Sequence, residues 1–400
     1  MNDENRTVKG ALLIAGTSIG GGMLALPVEL SLGGFIPSIF IYLFCWALMA
    51  CTGLLFLEIS LWIKGESNII SMANMTLGKY GKIAAWILYL FQFYLLTVAY
   101  IAGCGSLMTQ FAPGFLTESQ GPLLFTLLFA PFVYAGAKTV GKINVLFMLG
   151  LGICYFLFVY YGLPYVNGQM LLEADWKLSL IGLPVAFTAF AYQGTVPTLI
   201  TYLHHNPDRA RKAIIIGSSL PFFAYIIWQA LILGIIPTHG PGGLAEALEN
   251  GDNAVYPLRL YTGNFRMYNI GRFFAFFAMV TSFFGVTIGL KDFLADGLGI
   301  RKTGKGNIFL ALLVFVPPLI FSTLNPKIFL VALEYAGGFG CALLLGLLPI
   351  LMVWSGRYKM GLKSEYSLRG GKPLLIVLAA FILFEVALQI VFMSGIISFR

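Results

Sequence analysis

"GTSIGGGMLALP", Gly16 to Pro27, sits inside an apolar run near the N-terminus and holds three consecutive glycines, Gly20 to Gly22. Glycine favours unwinding and proline lacks a backbone donor, so a stretch apolar enough to cross a membrane carries residues that interrupt its helix. The surroundings of this stretch are a membrane protein throughout. Of 400 residues, 58% are hydrophobic and 10% charged, with a mean hydropathy of +0.86; soluble domains average about 25% charged residues. Apolar runs of roughly 20 residues, each long enough to span the ~30 Å hydrocarbon core as a helix, recur along the whole chain. They are apolar on every side rather than alternating, which excludes a barrel. The fold class is therefore an all-α integral membrane protein, with residues 1–400 forming a single transmembrane domain.

The segments read as spans are Val8 to Leu32, Phe35 to Ile63, Ile83 to Phe111, Pro122 to Ala137, Ile143 to Tyr165, Leu178 to Leu203, Ala213 to Ile236, Ile270 to Leu290, Ile308 to Leu324, Ile328 to Trp354 and Pro373 to Ile397. That makes eleven transmembrane helices, of which Pro122 to Ala137 is the shortest. The opening "MNDENRTVKG" is too polar and too acidic for a signal peptide, so the first span is expected to be retained. With the N-terminus inside, nineteen of the 25 lysines and arginines fall in inner segments, which places the N-terminus in the cytoplasm and the C-terminus outside. The net charge of +8 then serves orientation and contact with the lipid bilayer, and no nucleic acid partner is needed. Cys45, Cys51, Cys104, Cys154 and Cys341 lie within spans, and His204, His205 and His239 in polar loops; neither set has metal-ligand spacing, so no metal is expected. In the longest outer loop, "GGLAEALEN", Gly242 to Asn250, is expected to form a short helix over the outer mouth.

Five spans followed by five of opposite orientation would give the sixth the role of the first, inverted. Transporters built this way bind substrate where two discontinuous helices meet at mid-membrane. The sixth span, "GLPVAFTAFAYQGTVPTLITYL", indeed has Gln193 and Gly194 in its middle and Pro197 three residues beyond Gly194. The expected organisation is a first inverted repeat over 8–165, a second over 178–354 with breaks in helices 1 and 6, and an additional C-terminal helix over 373–397. NH groups freed near Thr17 to Gly22 at the positive end of a half-helix can hold a carboxylate, and freed carbonyls can accept from an ammonium or a cation. No charged residue lies in either break, which suits a net-neutral zwitterion such as an amino acid.

"GTSIGGGMLALP" resembles the first-helix signature of the hydroxy/aromatic amino acid permease family, the bacterial tyrosine- and tryptophan-type permeases of the amino acid-polyamine-cation superfamily. "AFAYQGTVPTL", Ala189 to Leu199, is similar to its sixth-helix motif, and "SFFGVTIGLKDFLADGLG", Ser282 to Gly299, to the end of its eighth helix. The sixth-helix motif departs at Gln193, where the family often has histidine; glutamine cannot carry a proton at physiological pH. The resemblance implies the five-plus-five fold of the LeuT type, in the cell inner membrane, and import of tyrosine, tryptophan or phenylalanine by proton symport. It places Thr17, Ser18, Ile19, Gly20, Gly21 and Gly22 against the substrate backbone, with Ala191, Tyr192, Gln193 and Gly194 contributing from the sixth helix.

An aromatic substrate needs a roomy apolar pocket with a few polar groups. Candidates are Gln92, Tyr94 and Tyr100 of the third span, and Phe187 and Phe190 beside the sixth-helix break. Intramembrane carboxylates are functional candidates by default. Glu29, Glu58 and Glu334 are candidates for proton transfer, Glu58 having an ion pair near Lys64 as its structural alternative. Glu385, outside the ten-helix unit, reads as structural. If sodium is the coupling ion instead, Ser282 and Thr287 offer hydroxyl ligands. A sodium-coupled or exchange carrier of other neutral amino acids is the alternative, then a channel, then a membrane-embedded enzyme. Filter loops, charge rings and catalytic clusters are not found in the sequence, and neither is a phosphate-binding Gly-rich motif, so an ion gradient must supply the energy and no cofactor is expected.

Overall fold

The computed structural model describes residues 3–63, 65 and 67–394. α1 (Asp3–Ser18) and α2 (Gly21–Glu29) are two halves of the first span, bent by 53° across Ile19 and Gly20. α3 (Phe35–Trp62) follows after a turn at Gly34, whose φ of +80° suits glycine. α4 (Ile69–Phe111), α5 (Gln120–Ala135) and α6 (Ala137–Gly162) complete the first half. The sixth span is again interrupted: α7 (Leu183–Ala189) ends, Phe190 to Tyr192 leave helical geometry, a 3₁₀ turn covers Gln193–Thr195, and α8 (Val196–Tyr202) resumes.

Beyond it lie α9 (Pro207–Ile235), the short loop helices α10 (Leu244–Asn250) and α11 (Leu258–Thr262), α12 (Phe265–Leu298) and α13 (Gly304–Leu324). The tenth span comprises α14 (Phe329–Tyr335), a π-helical stretch Ala336–Leu347 and α15 (Leu348–Tyr358); α16 (Gly371–Met393) is the last helix. Among the described residues nine helical stretches are long and apolar enough to cross a membrane, or ten with α1 and α2 taken as one bent span. α5, at the place of the fourth expected span, is apolar but only 16 residues long.

Local chemistry explains where helices begin earlier than hydropathy suggests. Asn68 Oδ1 accepts from the Ser71 amide at 2.9 Å while Ser71 Oγ accepts from the Asn68 amide at 3.0 Å, so α4 starts 14 residues before the expected Ile83. Gly78, at φ +69°, then kinks it. Asn206 caps α9 by accepting from the Arg209 amide at 3.0 Å, with Pro207 in the first turn, where its missing donor costs nothing. The expected outer-loop helix is present as α10; Leu244, Ala247 and Leu248 are buried, and the nearby Ala254 amide donates to Leu24 O of α2 at 3.4 Å. Lys64, Arg400 and the 395–397 end of the expected last span lie outside the described residues.

The two interrupted spans occupy the centre: α2 packs on α7, α1 on α9, and α3, α4, α12 and the π-helical stretch surround them. Small residues permit this. A Cβ on Gly22 would lie 3.0 Å from Ala189 Cα, and one on Gly217 of α9 would lie 2.6 Å from Ala11 O of α1.

Away from this centre, one ion pair ties α3 to α15. Glu58 accepts from Arg357 Nε at 2.6 Å and also from Arg357 Nη2, and its Oε2 takes the Leu368 amide at 3.1 Å. Glu58 is therefore committed to Arg357, a partner 299 residues away, and the pair supplies a structural role for a residue that sequence made a proton-transfer candidate. Replacing Arg357 by Ala should leave a buried carboxylate uncompensated and cost about 3–5 kcal/mol. Thermal unfolding in detergent should register this, and the double variant Glu58→Leu/Arg357→Met should recover most of the loss; an unchanged midpoint in Arg357→Ala would remove the pair from the stability of the fold.

Candidate functional site

Breaking two helices inside a membrane leaves backbone groups that must find partners. α2 starts at Gly21 without a side-chain cap, so its first NH groups have no intrahelical acceptor. The Gly21 amide donates to Ser282 Oγ of α12 at 3.3 Å, and the Met23 amide turns back to Gly20 O at 3.1 Å. Tyr100 of α4 lies against the same point: a Cβ on Gly21 would meet its ring at 2.5 Å, and its hydroxyl reaches Ser282. A Cβ on Gly20 would collide with Ser282 Oγ. The glycines thus let α4 and α12 close on the backbone of the first break.

On the carbonyl side one side chain serves both breaks. The Tyr225 hydroxyl of α9 lies 2.6 Å from Ser18 O, at the end of α1, and 2.8 Å from Ala189 O, at the end of α7. Both are helix C-termini, carrying partial negative charge, and one shared O–H holds them together. The second break is pinned to α3 by Gln193. Its Oε1 accepts from the Tyr192 amide at 2.9 Å, and its Nε2 donates to Met49 O at 3.1 Å and Thr52 Oγ1 at 3.0 Å.

Between the breaks lies a cavity of about 490 Å³, within the ~300–1,000 Å³ typical of small-molecule sites. Thr17, Ser18, Gly20 and Gly22 line it from the first break, Ala191, Tyr192 and Gly194 from the second, Gln92 and Tyr100 from α4, and Ser282 from α12. Nine of these are expected substrate contacts and the tenth, Ser282, is an expected sodium ligand; the structure brings all ten to one cavity. The cavity runs along the C-terminal half of α1, where Leu12, Leu13 and Thr17 are exposed, and reaches Ile69 at the start of α4. On the opposite side Met23, Leu24, Leu26 and Phe187 are fully buried and the packing is closed.

Other candidates lie elsewhere. Gln193 is fully buried and faces α3 rather than the cavity, because the Tyr192 amide and the Met49 carbonyl claim its amide group. Phe190 packs between Tyr42 and Tyr225, with ring centroids at 6.0 and 5.0 Å, and Phe187 belongs to the core. Tyr94 donates to Leu313 O of α13 at 2.9 Å, while Ile19 and Gly21 are behind the lining. Thr287 Oγ1 turns back to Phe283 O at 2.6 Å, as a buried helical threonine does. Glu29 is buried at the end of α2 and Glu334 half-buried on α14; neither lines the cavity.

The structure adds lining residues that sequence reading passed over: Tyr89 and Phe93 on α4, Asn144 and Met148 on α6, Thr188 on α7, and Thr281, Gly285 and Gly289 on α12. The spacing of Gly285 and Gly289, four apart within "GVTIG", was the available signal, since small residues at that interval face one side of a membrane helix. A Cβ on Gly289 would meet Phe93 at 2.8 Å, whereas one on Gly285 would meet nothing within 4 Å, so Gly285 contributes open volume. No group of three His, Cys, Asp or Glu side chains suited to a metal occurs among the described residues.

Residues 3–391 match the model of the tryptophan/tyrosine permease family. The chain is 33% identical over 377 residues to the tyrosine-specific transport system 1 of Haemophilus influenzae, covering 93% of this chain and 94% of that relative. It is 31% identical over 382 residues to the tryptophan-specific transport protein of Pseudomonas aeruginosa, covering 93% and 91%. Among solved structures, MhsT in complex with L-phenylalanine is similar at a TM-score of 0.67 and 17% identity, over 96% of this chain and 98% of that one, so the two share the LeuT-type fold.

The Tyr225 hydroxyl can be removed with little change of shape. Tyr225→Phe should leave Ser18 O and Ala189 O without their shared donor and cost about 1–3 kcal/mol. The check is the thermal midpoint in detergent; a midpoint equal to the parent's would show that water or another donor replaces the hydroxyl.

Proposed function

This chain belongs to the tryptophan/tyrosine permease family, and we propose that it imports aromatic amino acids, tyrosine, tryptophan or phenylalanine, by proton symport with alternating access. The observation that carries this reading is the cavity between two helix breaks, with the uncapped start of α2 on its wall. There the substrate carboxylate meets the backbone of Gly20 and Gly22, which line the cavity, and the positive end of α2. The ammonium group finds the carbonyl-rich ends of α1 and α7 and the hydroxyls of Thr188 and Thr281. The ring occupies the apolar part between Phe93, Leu96, Met148 and Val286, in space left by Gly285. The named substrates of the relatives, tyrosine and tryptophan, and the phenylalanine bound to MhsT support an aromatic side chain.

With the N-terminus in the cytoplasm of a cell whose inner membrane holds the chain, the cavity is directed inward. Outward opening then requires α2 and α7 to part from their neighbours around Leu24, Leu26 and Phe187. Residues 8–165 and 178–354, each beginning with one broken helix, are the two inverted repeats whose relative movement provides it, and 373–397 is the added helix.

Purified protein in liposomes tests the reading directly. Labelled tyrosine, tryptophan or phenylalanine should accumulate under an inward proton gradient, while leucine should not; absence of accumulation of every aromatic acid under proton and sodium gradients alike would sink the proposal. Gly285→Leu should abolish uptake by filling the cavity, and its thermal midpoint should stay at or above the parent's, because glycine is the poorer helix former by roughly 1 kcal/mol. Undiminished uptake in that variant would place the substrate elsewhere.

A further inference from the structure

Resting on the transport reading above, we propose that Glu385 of α16 is the site that binds the coupled proton, and that the π-helical stretch Ala336–Leu347 connects it to the substrate cavity. α16 turns one face inward, with Leu375, Leu378, Ile382, Glu385 and Gln389 buried at helical spacing. Glu385 is fully buried, and neither carboxylate oxygen has a hydrogen-bond partner among the described residues. No lysine, arginine or histidine among them forms an ion pair with it. The titratable groups facing it are the thiols of Cys45, from α3, and Cys341, from the π-helical stretch. A charged carboxylate without a partner is strongly disfavoured in such a place, whereas the neutral acid is tolerated. Intramembrane carboxylates mark ion and proton pathways; Glu58, held by Arg357, is committed to a structural pair instead.

The route to the cavity is a chain of close contacts. Gln92 lines the cavity and donates from Nε2 to Cys341 Sγ at 2.9 Å. Thr188, the cavity-lining residue of α7, donates at 2.9 Å to Leu333 O of α14, three residues before the π-helical stretch begins. Three glycines in that stretch allow simultaneous contact with three helices. A Cβ on Gly337 would collide with Pro184 O of α7; one on Gly340 would lie 3.0 Å from Gln92 of α4, and one on Gly338 2.7 Å from Gln389 of α16. Widened π turns of this kind are frequent at functional sites.

A movement of α7 that opens or closes the cavity therefore shifts the packing around Glu385. In one arrangement the carboxylate takes a proton and becomes the neutral acid; in the other, with water or a polar group admitted, the same proton leaves. The O–H bond formed is the one later broken, and nothing is oxidised or reduced.

The test compares the parent with Glu385→Gln in liposomes, with labelled tyrosine and tryptophan. Glutamine mimics the neutral acid and cannot ionise. Exchange of internal for external substrate without a gradient should stay within about twofold of the parent, since the swap conserves volume. Accumulation driven by a proton gradient should fall to the level reached without one, and the pH dependence of exchange should flatten. Glu385→Asp, which keeps an ionisable group, should retain gradient-driven accumulation. The proposal is overturned if Glu385→Gln accumulates substrate as the parent does. It is equally overturned if that variant loses exchange together with accumulation, which would make Glu385 structural, or if the parent follows a sodium gradient and ignores protons. Failure of the parent to exchange any aromatic acid would instead overturn the transport reading on which this one stands.

Discussion

The structure depends on satisfying the backbone polarity that two broken helices release into the interior of a membrane protein. Each unpaired NH or carbonyl there is costly, so breaks persist only where other elements supply partners. Here the partners come from three helices: Ser282 on α12 for the Gly21 amide, Tyr225 on α9 for Ser18 O and Ala189 O, and Met49 and Thr52 on α3 for the Gln193 amide that itself caps Tyr192. Gln92 and Tyr100 place α4 against the same centre. The breaks recruit the bundle around them, and the cavity is the space that those contacts leave.

Small residues at the contacts make this closeness possible and assign different duties to glycines that look alike in sequence. Gly20, Gly21 and Gly22 permit approach by Ser282, Tyr100 and Ala189. Gly337, Gly338 and Gly340 bring the tenth span against α7, α16 and α4. Gly285 permits no contact at all and leaves volume for a ligand. Only the first group lies in a segment whose local pattern, three glycines followed by a proline, announces its role.

Several features of the site were legible because they are local. Apolar length marks the membrane segments, and glycine next to proline marks the interruptions in the first and sixth spans. Hydropathy missed the start of α4, since Lys79 and Lys82 interrupt the apolar run and the helix begins at a polar cap formed by Asn68 and Ser71. The direction of side chains was not legible either. Gln193 stands in the break but points to α3; Phe190 flanks the break but packs on Tyr42 and Tyr225; Tyr94 shares a helix with Tyr100 but reaches α13. One residue of difference along a helix turns a side chain through about 100°, from cavity to core.

By itself, then, the sequence determined an all-helical membrane protein with two matched interruptions, because hydrophobic length and the backbone preferences of glycine and proline act within a single segment. Tertiary structure alone decided which groups line the cavity and which carboxylate is paired. Glu58 meets Arg357 across 299 residues, and Glu385 meets the π-helical stretch instead of a counter-charge. Partnership inside a bundle is a matter of distance in space, and neither composition nor periodicity carries that distance.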